Sequence, residues 1–299
     1  MSTEDFRCGR VALVGRPNVG KSTLLNAMMG LHLSIVSPKP QTTRHRILGI
    51  VTRDAGQILY LDTPGLHQGA RKAMNRNLNR AAHAALAEAD VLIQVIEAER
   101  WTEEDEAVFA ALSTAAQPRL LAVNKVDRVR DKPRLLPFIE NLVAEHAFDE
   151  VHYVSALRRN GLSVLENAVL ARLPCRPAEF DEDALTDRSE RFLVAERVRE
   201  QLMLRLQDEL PYATTVEVES FKDRADGSSE VHAVIWVERE GQKGIVVGRG
   251  GAVLRDVGTA ARRNVERLLD RRIHLKLWVK VRENWSDDDA SLRRFGLDG

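Results

Sequence analysis

The chain has little of what would place it outside the soluble globular classes. It holds two cysteines in 299 residues, Cys8 and Cys175, far apart and without metal-ligand spacing. That excludes a disulfide scaffold and points to a reducing compartment. No apolar run approaches the length that crosses a bilayer. The first ten residues, MSTEDFRCGR, are polar and lack the apolar centre of a signal peptide. A cytoplasmic location is expected, with peripheral membrane contact left open. Net charge is absent too, since 44 basic residues balance 44 acidic ones. A balanced total says little about partners, because local concentrations of charge cancel within it. There are no repeats and no low-complexity tract.

What is present is an alternation. Short apolar runs at Val11–Val14, Arg46–Thr52, Gln57–Leu61, Val91–Ile96, Leu120–Val123 and Val151–Val154 read as strands. Helical patterns lie at Lys21–Met29, Lys72–Glu88, Asp105–Ala116, Arg134–Ala147 and Ser163–Arg172. This order predicts an α/β domain over residues 1–174, a mostly parallel sheet with helices on both faces and one antiparallel hairpin turning at Arg53–Gly56. Residues 175–190, with prolines on either side of Cys175 and then an acidic aperiodic stretch, read as a linker. Residues 191–299 follow with a long helix pattern, a strand pair around Asp226–Ser229, a glycine-rich turn, another helix and a last strand. That is a small α+β domain.

The stretch GRPNVGKS, Gly15 to Ser22, fits G-x-x-x-x-G-K-[ST] between a strand and a helix. Glycines let the chain fold so that successive N–H groups point at phosphate, and the helix N-terminus adds its positive end. Gly15, Asn18, Val19, Gly20, Lys21, Ser22 and Thr23 are therefore assigned to a nucleotide. Lys21 reaches for the β- and γ-phosphates and the Ser22 hydroxyl for Mg²⁺. LDTPG, Leu61 to Gly65, offers Asp62 to the same ion and the Gly65 N–H to the γ-phosphate.

VNKVD, Val123 to Asp127, selects the base. Asp127 can accept from guanine N1–H and the exocyclic amine together, and adenine would leave its carboxylate unpaired. Asn124 can meet the base edge and brace the phosphate turn, while the Lys125 stem covers the base plane. In VSAL, Ser155, Ala156 and Leu157 complete the set, with the Ala156 N–H directed to guanine O6. All these pieces end strands, where open α/β sheets hold ligands. The set resembles the GTPase family of the Ras and elongation-factor type. Between the first helix and second strand, Thr43 or, as the alternative, Thr42 would ligate Mg²⁺ only while the γ-phosphate is present. Lys21, Thr43 and Gly65 are the expected catalytic contacts. Where Ras-like switches carry a water-orienting glutamine, this chain has Leu66, whose side chain forms no hydrogen bond.

A second glycine turn, GRGG at Gly248, Arg249, Gly250 and Gly251, has no G-K-[ST] and fits G-x-x-G at a helix start. In K-homology domains such a loop clamps a few single-stranded nucleotides beside an apolar groove. From Gly241 to Arg282 there are eleven Lys or Arg against three Asp or Glu. That surplus favours a polyanion. In the following helix Leu254, Val257, Ala261, Val265 and Leu268 recur at helical spacing. In the last strand Leu275, Leu277 and Val279 share one face, with Lys276, Trp278 and Lys280 on the other. Packing against a neighbouring element is the expected use of Trp278, and Trp285 is left open.

GRPNVGKSTLLN, QTTRHRILGI, DTPGLH, NKVD and LKLWVKV together resemble the Era-like family of bacterial ribosome-assembly GTPases, over essentially the whole chain. The resemblance implies a P-loop GTPase domain with a type II K-homology domain, GTP and GDP with Mg²⁺ as ligands, and RNA contacts at Gly248–Gly251. It implies binding near the 3′ end of 16S rRNA on the precursor of the 30S subunit, a monomer, and peripheral association with the inner membrane. In some of these GTPases the asparagine matching Asn18 helps to hold K⁺ beside the phosphates. Two alternatives stay open at this point. One is an RNA chaperone stabilised by nucleotide, and the other a GTPase whose C-terminal domain binds protein or membrane.

Overall fold

The computed structural model describes residues 6–39, 42–64, 73–113 and 115–297. The chain divides into two compact units. In the first, β1 (Arg7–Val14) is followed by α1 (Lys21–Met29), β2 (Ile47–Arg53), β3 (Gly56–Asp62), α2 (Ala73–Glu88), β4 (Val91–Glu97), α3 (Glu103–Leu112), β5 (Arg119–Asn124), α4 (Leu135–Glu145), β6 (Glu150–Tyr153) and α5 (Leu162–Leu170). The strands form one sheet in the order β2-β3-β1-β4-β5-β6. Only β2 runs antiparallel, against β3, so the hairpin expected at the sheet edge is there.

The central strands are buried on both faces. Val11, Ala12 and Leu13 of β1, Val91–Ile93 of β4 and Leu120–Val123 of β5 are fully covered. Their near-continuous apolar runs are what a parallel strand between two helical layers requires. Helix ends are marked locally. Gly30 closes α1 at φ 75°, and Thr102 and Asp105 form a reciprocal capping box at the start of α3. The aperiodic acidic stretch lies along this unit. The buried Gln57 side chain accepts from the Glu179 and Phe180 amides at 2.9 and 3.0 Å and donates to the Phe180 carbonyl at 2.9 Å, and Ile50 N–H donates to Leu185 O at 3.0 Å.

The second unit contains α6 (Glu190–Arg205), β7 (Thr215–Asp223), β8 (Ser229–Val237), α7 (Glu240–Val247), α8 (Ala252–Leu269), β9 (Ile273–Val281) and α9 (Asp289–Arg294). Its sheet runs β7-β8-β9, antiparallel then parallel. Val198, Leu202, Ile235, Val246, Val257 and Ala261 form its core. Two earlier pieces of chain belong to this unit, Ile35–Thr42 and residues 73–77 at the start of α2. The Ala73 amide donates to Asp287 Oδ1 and the Asn77 side chain to Leu297 O, both at 3.0 Å. Ala73 and Met74 pack with Trp285, Leu292 and Leu297.

Three features differ from the sequence pattern. Glu240–Val247 is a helix, hidden in the sequence by Gly241 and Gly244; Gln242 Oε1 anchors its entry by accepting from the Glu238 and Arg239 amides at 2.9 and 3.1 Å. Trp285 is a fully buried core residue whose indole N–H donates to Ala213 O at 3.1 Å, which removes it from any binding surface. Trp278 is 42% exposed and meets only the edge of the His232 ring at 5.1 Å among the ring contacts of the described residues.

Candidate nucleotide and RNA sites

The turn after β1 is built from left-handed and glycine-only backbone. Gly15, Asn18 and Gly20 have φ of 152°, 63° and 104°. A Cβ on Gly15 would lie 2.4 Å from Val95 O, and one on Gly20 2.4 Å from Asn124 Nδ2. Here glycine is required by approach as well as by torsion. Lys21 Nζ curls back to donate to the carbonyls of Gly15 at 2.7 Å and Arg16 at 3.0 Å. Burial lowers its pKa to about 8, with Asp62 opposing that shift.

Asp62, at the end of β3, gathers hydroxyls. Its Oδ2 accepts from Ser22 at 2.7 Å, Ser34 at 2.6 Å and, more weakly, Thr43 at 3.5 Å; the Ser22 and Thr43 oxygens are 3.0 Å apart. Its Oδ1 is buried with no hydrogen-bond partner among the described residues. Burial raises the carboxyl pKa, while the Ser34 and Ser22 hydroxyls and Lys21 hold it down. A buried carboxylate beside the Ser22, Ser34 and Thr43 hydroxyls is a donor set suited to a hard divalent cation. The structure separates the two threonines. Thr43 joins this cluster, whereas Thr42 Oγ1 hydrogen-bonds the Lys39 carbonyl and the Ser37 hydroxyl, both at 2.6 Å. Ser34 was not legible in the sequence. It is placed by Asn26 of α1, whose side chain accepts from the Leu33 and Ser34 amides and donates to the Ser34 carbonyl. Gly65 and Leu66 lie outside the described residues.

The opposite end of the site is organised by Asn124. Its Nδ2 donates to Val19 O at 2.9 Å, and its Oδ1 accepts from the Lys125 amide at 2.8 Å and the Ala156 amide at 3.0 Å. The brace on the phosphate turn is therefore present. The Ala156 N–H, expected to face a purine oxygen, is instead engaged by Asn124. Ser155 Oγ donates to Asp127 Oδ1 at 2.5 Å and fixes the carboxylate. Leu157 is 69% exposed at the rim. An ion-pair chain runs beside these loops. Arg16 binds Asp105 Oδ2 at 2.9 Å and Glu97 Oε2 at 3.3 Å, and Glu97 Oε1 meets Lys125 Nζ at 3.0 Å. No motif announced it.

In the second unit, Gly248, Gly250 and Gly251 all have positive φ, 73°, 60° and 78°. Arg249 and Gly250 are exposed. None of the described residues lies within 4 Å of a Cβ built on Gly250 or Gly251, so the backbone there is open to a close-approaching chain. Beside the loop runs a cleft of about 340 Å³ lined by Gly251, Leu254, Arg255, Gly258, Arg262 and Leu277, among others. Leu254 faces this cleft, whereas Val257, Ala261 and Val265 are buried in the core. Apolar floor, arginine rim and accessible glycine backbone match what single-stranded bases and phosphates need.

Fold and site together define a P-loop GTPase-type domain carrying a K-homology domain. Residues 10–125 match the family described as 50S ribosome-binding GTPase, and residues 209–286 match the KH domain. The chain is 54% identical to GTPase Era of Stenotrophomonas maltophilia (strain R551-3) over 292 residues, 97% of each chain. It is also 54% identical to GTPase Era of Xanthomonas campestris pv. campestris (strain B100) over 297 residues, 99% of each. Two solved structures superpose with TM-scores of 0.94 at 35% identity, covering 98% of this chain and 99% of theirs. One is a variant of Aquifex aeolicus Era bound to GDP·AlF4⁻. The other is Era in complex with MgGDPNP and nucleotides 1506–1542 of 16S ribosomal RNA. The chain belongs to the Era family of GTPases.

Proposed function

We propose that this protein is a GTP-hydrolysing switch that grips 16S rRNA near its 3′ end while the precursor of the 30S subunit matures. Asp127, held by Ser155, reads guanine N1–H and the exocyclic amine. The Lys125 stem covers the base. Amides of the turn from Gly15 to Thr23, with Lys21, receive the phosphates. Ser22, Thr43 and Asp62 would hold Mg²⁺, which would supply positive charge against the phosphates. Thr43 closes on the site while the γ-phosphate is there, and Gly65 contributes its amide. Gly248–Gly251 clamps the RNA backbone and the Leu254–Leu277 cleft takes bases. The GTPase name of the relatives over the full chain disfavours a chaperone with merely structural nucleotide, and the relative structure that holds a 16S rRNA segment favours RNA as the main ligand of the C-terminal domain. We place the protein in the cytoplasm, as a monomer with peripheral affinity for the inner membrane.

One observation carries the switch. Thr42 and Thr43 are adjacent, yet they serve different units. Thr43 joins the Asp62 cluster. The Thr42 carbonyl accepts from Arg199 Nη2 of α6 at 2.6 Å, and the Val36 amide donates to Glu200 at 3.2 Å. A pull on Thr43 by bound GTP would pass through one peptide bond to Thr42 and so to α6, which packs against α8. Coupling of this kind requires RNA affinity to differ between the two nucleotide forms. Titrating a labelled 16S 3′-end oligonucleotide with GTP-analogue-loaded and GDP-loaded protein at one salt concentration should give different affinities. Equal values would end the switch and leave the nucleotide site intact. Asn18 is exposed with left-handed backbone beside the turn. Its side chain is available to K⁺, so turnover should be faster in KCl than in NaCl; matched rates remove that ion from the scheme.

A further inference from the structure

Glu97 is the last residue of β4 and stands in register with Asn124 of β5. It therefore ends between the loop that follows β1 and the loop that follows β5. Its two carboxylate oxygens serve different loops. Oε2 accepts from Arg16 Nη2 at 3.3 Å, inside the phosphate turn. Oε1 accepts from Lys125 Nζ at 3.0 Å, inside the base-reading loop, with Arg128 Nη1 at 3.7 Å. The Arg16 guanidinium is locked from its other edge by the fully buried Asp105, and the Arg16 carbonyl accepts from Lys21. Lys125 has φ 65°, an unfavourable backbone region for a lysine, so its loop needs an external hold. Partial burial works against ionising Glu97, but Lys125 and Arg16 outweigh it and keep the carboxyl below its usual range. The charge that makes both contacts is therefore present throughout the neutral range.

We propose that Glu97 is a positioning residue for nucleotide retention, tying the lysine that covers the base to the arginine that shapes the phosphate turn. The two halves of the site then open together or not at all. A guanine nucleotide leaves only when both loops yield, and its release is slow for that reason. This rests on the nucleotide reading given above, which the parent protein tests separately.

The experiment measures release of a fluorescent GDP from the full chain. Glu97→Gln keeps the shape and removes the charge. Losing a charge-assisted hydrogen bond should speed release about tenfold. The nucleotide-free melting temperature should stay within about 3 °C, as for a substitution outside the core. Because Glu97 acts through Lys125, the pair should be non-additive: Glu97→Gln in a Lys125→Met background should add less than about twofold. Glu97→Asp, with the charge retained on a shorter stem, should fall between parent and Gln, and it carries the same criteria if the Gln protein fails to fold. Release unchanged within about twofold, or effects of Glu97→Gln and Lys125→Met that multiply fully, would overturn the assignment. A parent that does not bind GDP would instead overturn the nucleotide reading itself.

Discussion

Two glycine-rich turns begin helices in this protein, and they are built in opposite ways. The turn from Gly15 to Ser22 is crowded: a Cβ on Gly15 or on Gly20 would lie 2.4 Å from a neighbouring atom, and its lysine is folded onto its own carbonyls. The turn from Gly248 to Gly251 is tight at Gly248, where a Cβ would lie 2.5 Å from Val253, but open at its tip, where a Cβ on Gly250 or Gly251 would meet none of the described residues within 4 Å. In the first, glycine allows the protein to approach itself. In the second, it allows something else to approach the protein. Rigidity suits a compact, highly charged triphosphate whose geometry is fixed, because the donors need no rearrangement on binding. Accessibility suits a polymer that enters and leaves along a groove.

This contrast is sharpened most by disabling each turn in turn. Lys21→Ala should cut GTP turnover by about 10²–10³-fold, the usual cost of losing one charged donor to a transferring group. Without nucleotide its affinity for RNA should stay within about twofold of the parent, since the turns belong to separate units. A parallel loss of RNA binding in a filter-binding assay would erase the distinction. Replacing Arg249 and Gly250 together with Asp should weaken RNA binding by about a hundredfold and flatten its salt dependence, because a phosphate contact becomes a repulsion. Aspartate tolerates the φ of 60° at Gly250, so the fold and GTP turnover should persist. The smallest effect separates crowding from torsion. Gly251→Ala meets only torsional strain and should cost about 1–2 kcal/mol in urea denaturation. Gly20→Ala also strikes the Asn124 brace and should cost about 2–4 kcal/mol. Equal losses would mean the crowding around Gly20 is soft.

The parts of the site legible in the sequence were those whose chemistry is local. Lys21, Ser22, Asp62, Asn124 and Asp127 sit in short motifs at strand ends, and a parallel sheet brings strand ends together by construction. Ser34 and Glu97 were not legible. Their partners lie 28 and 81 residues away, and nothing in a serine after a helix or a glutamate after an apolar run says what it will meet. Thr43, the expected ligand, lies at the Asp62 cluster and Thr42, the alternative, does not, a difference made by packing that no local pattern shows. Strand and helix positions up to residue 173 followed from apolar periodicity. The α7 helix escaped because two glycines mask its propensity while tertiary contacts sustain it. Trp285 stayed open in the sequence because nothing in its polar stretch points to its partners, Met74 and Leu297.

The C-terminal unit is not a contiguous piece of chain. Part of the wall around Trp285 comes from residues 73–77, and the buried ion pairs of α6, Arg199 with Glu196 and Arg197 with Glu200, lie against a strip supplied by Ile35–Thr42. A fragment cut at residue 188 would therefore leave an indole and four charged groups to find water where they now have protein. Such a truncation is a poor stand-in for the RNA-binding half of the native molecule, and a fusion or swap made at that junction would inherit the same gap.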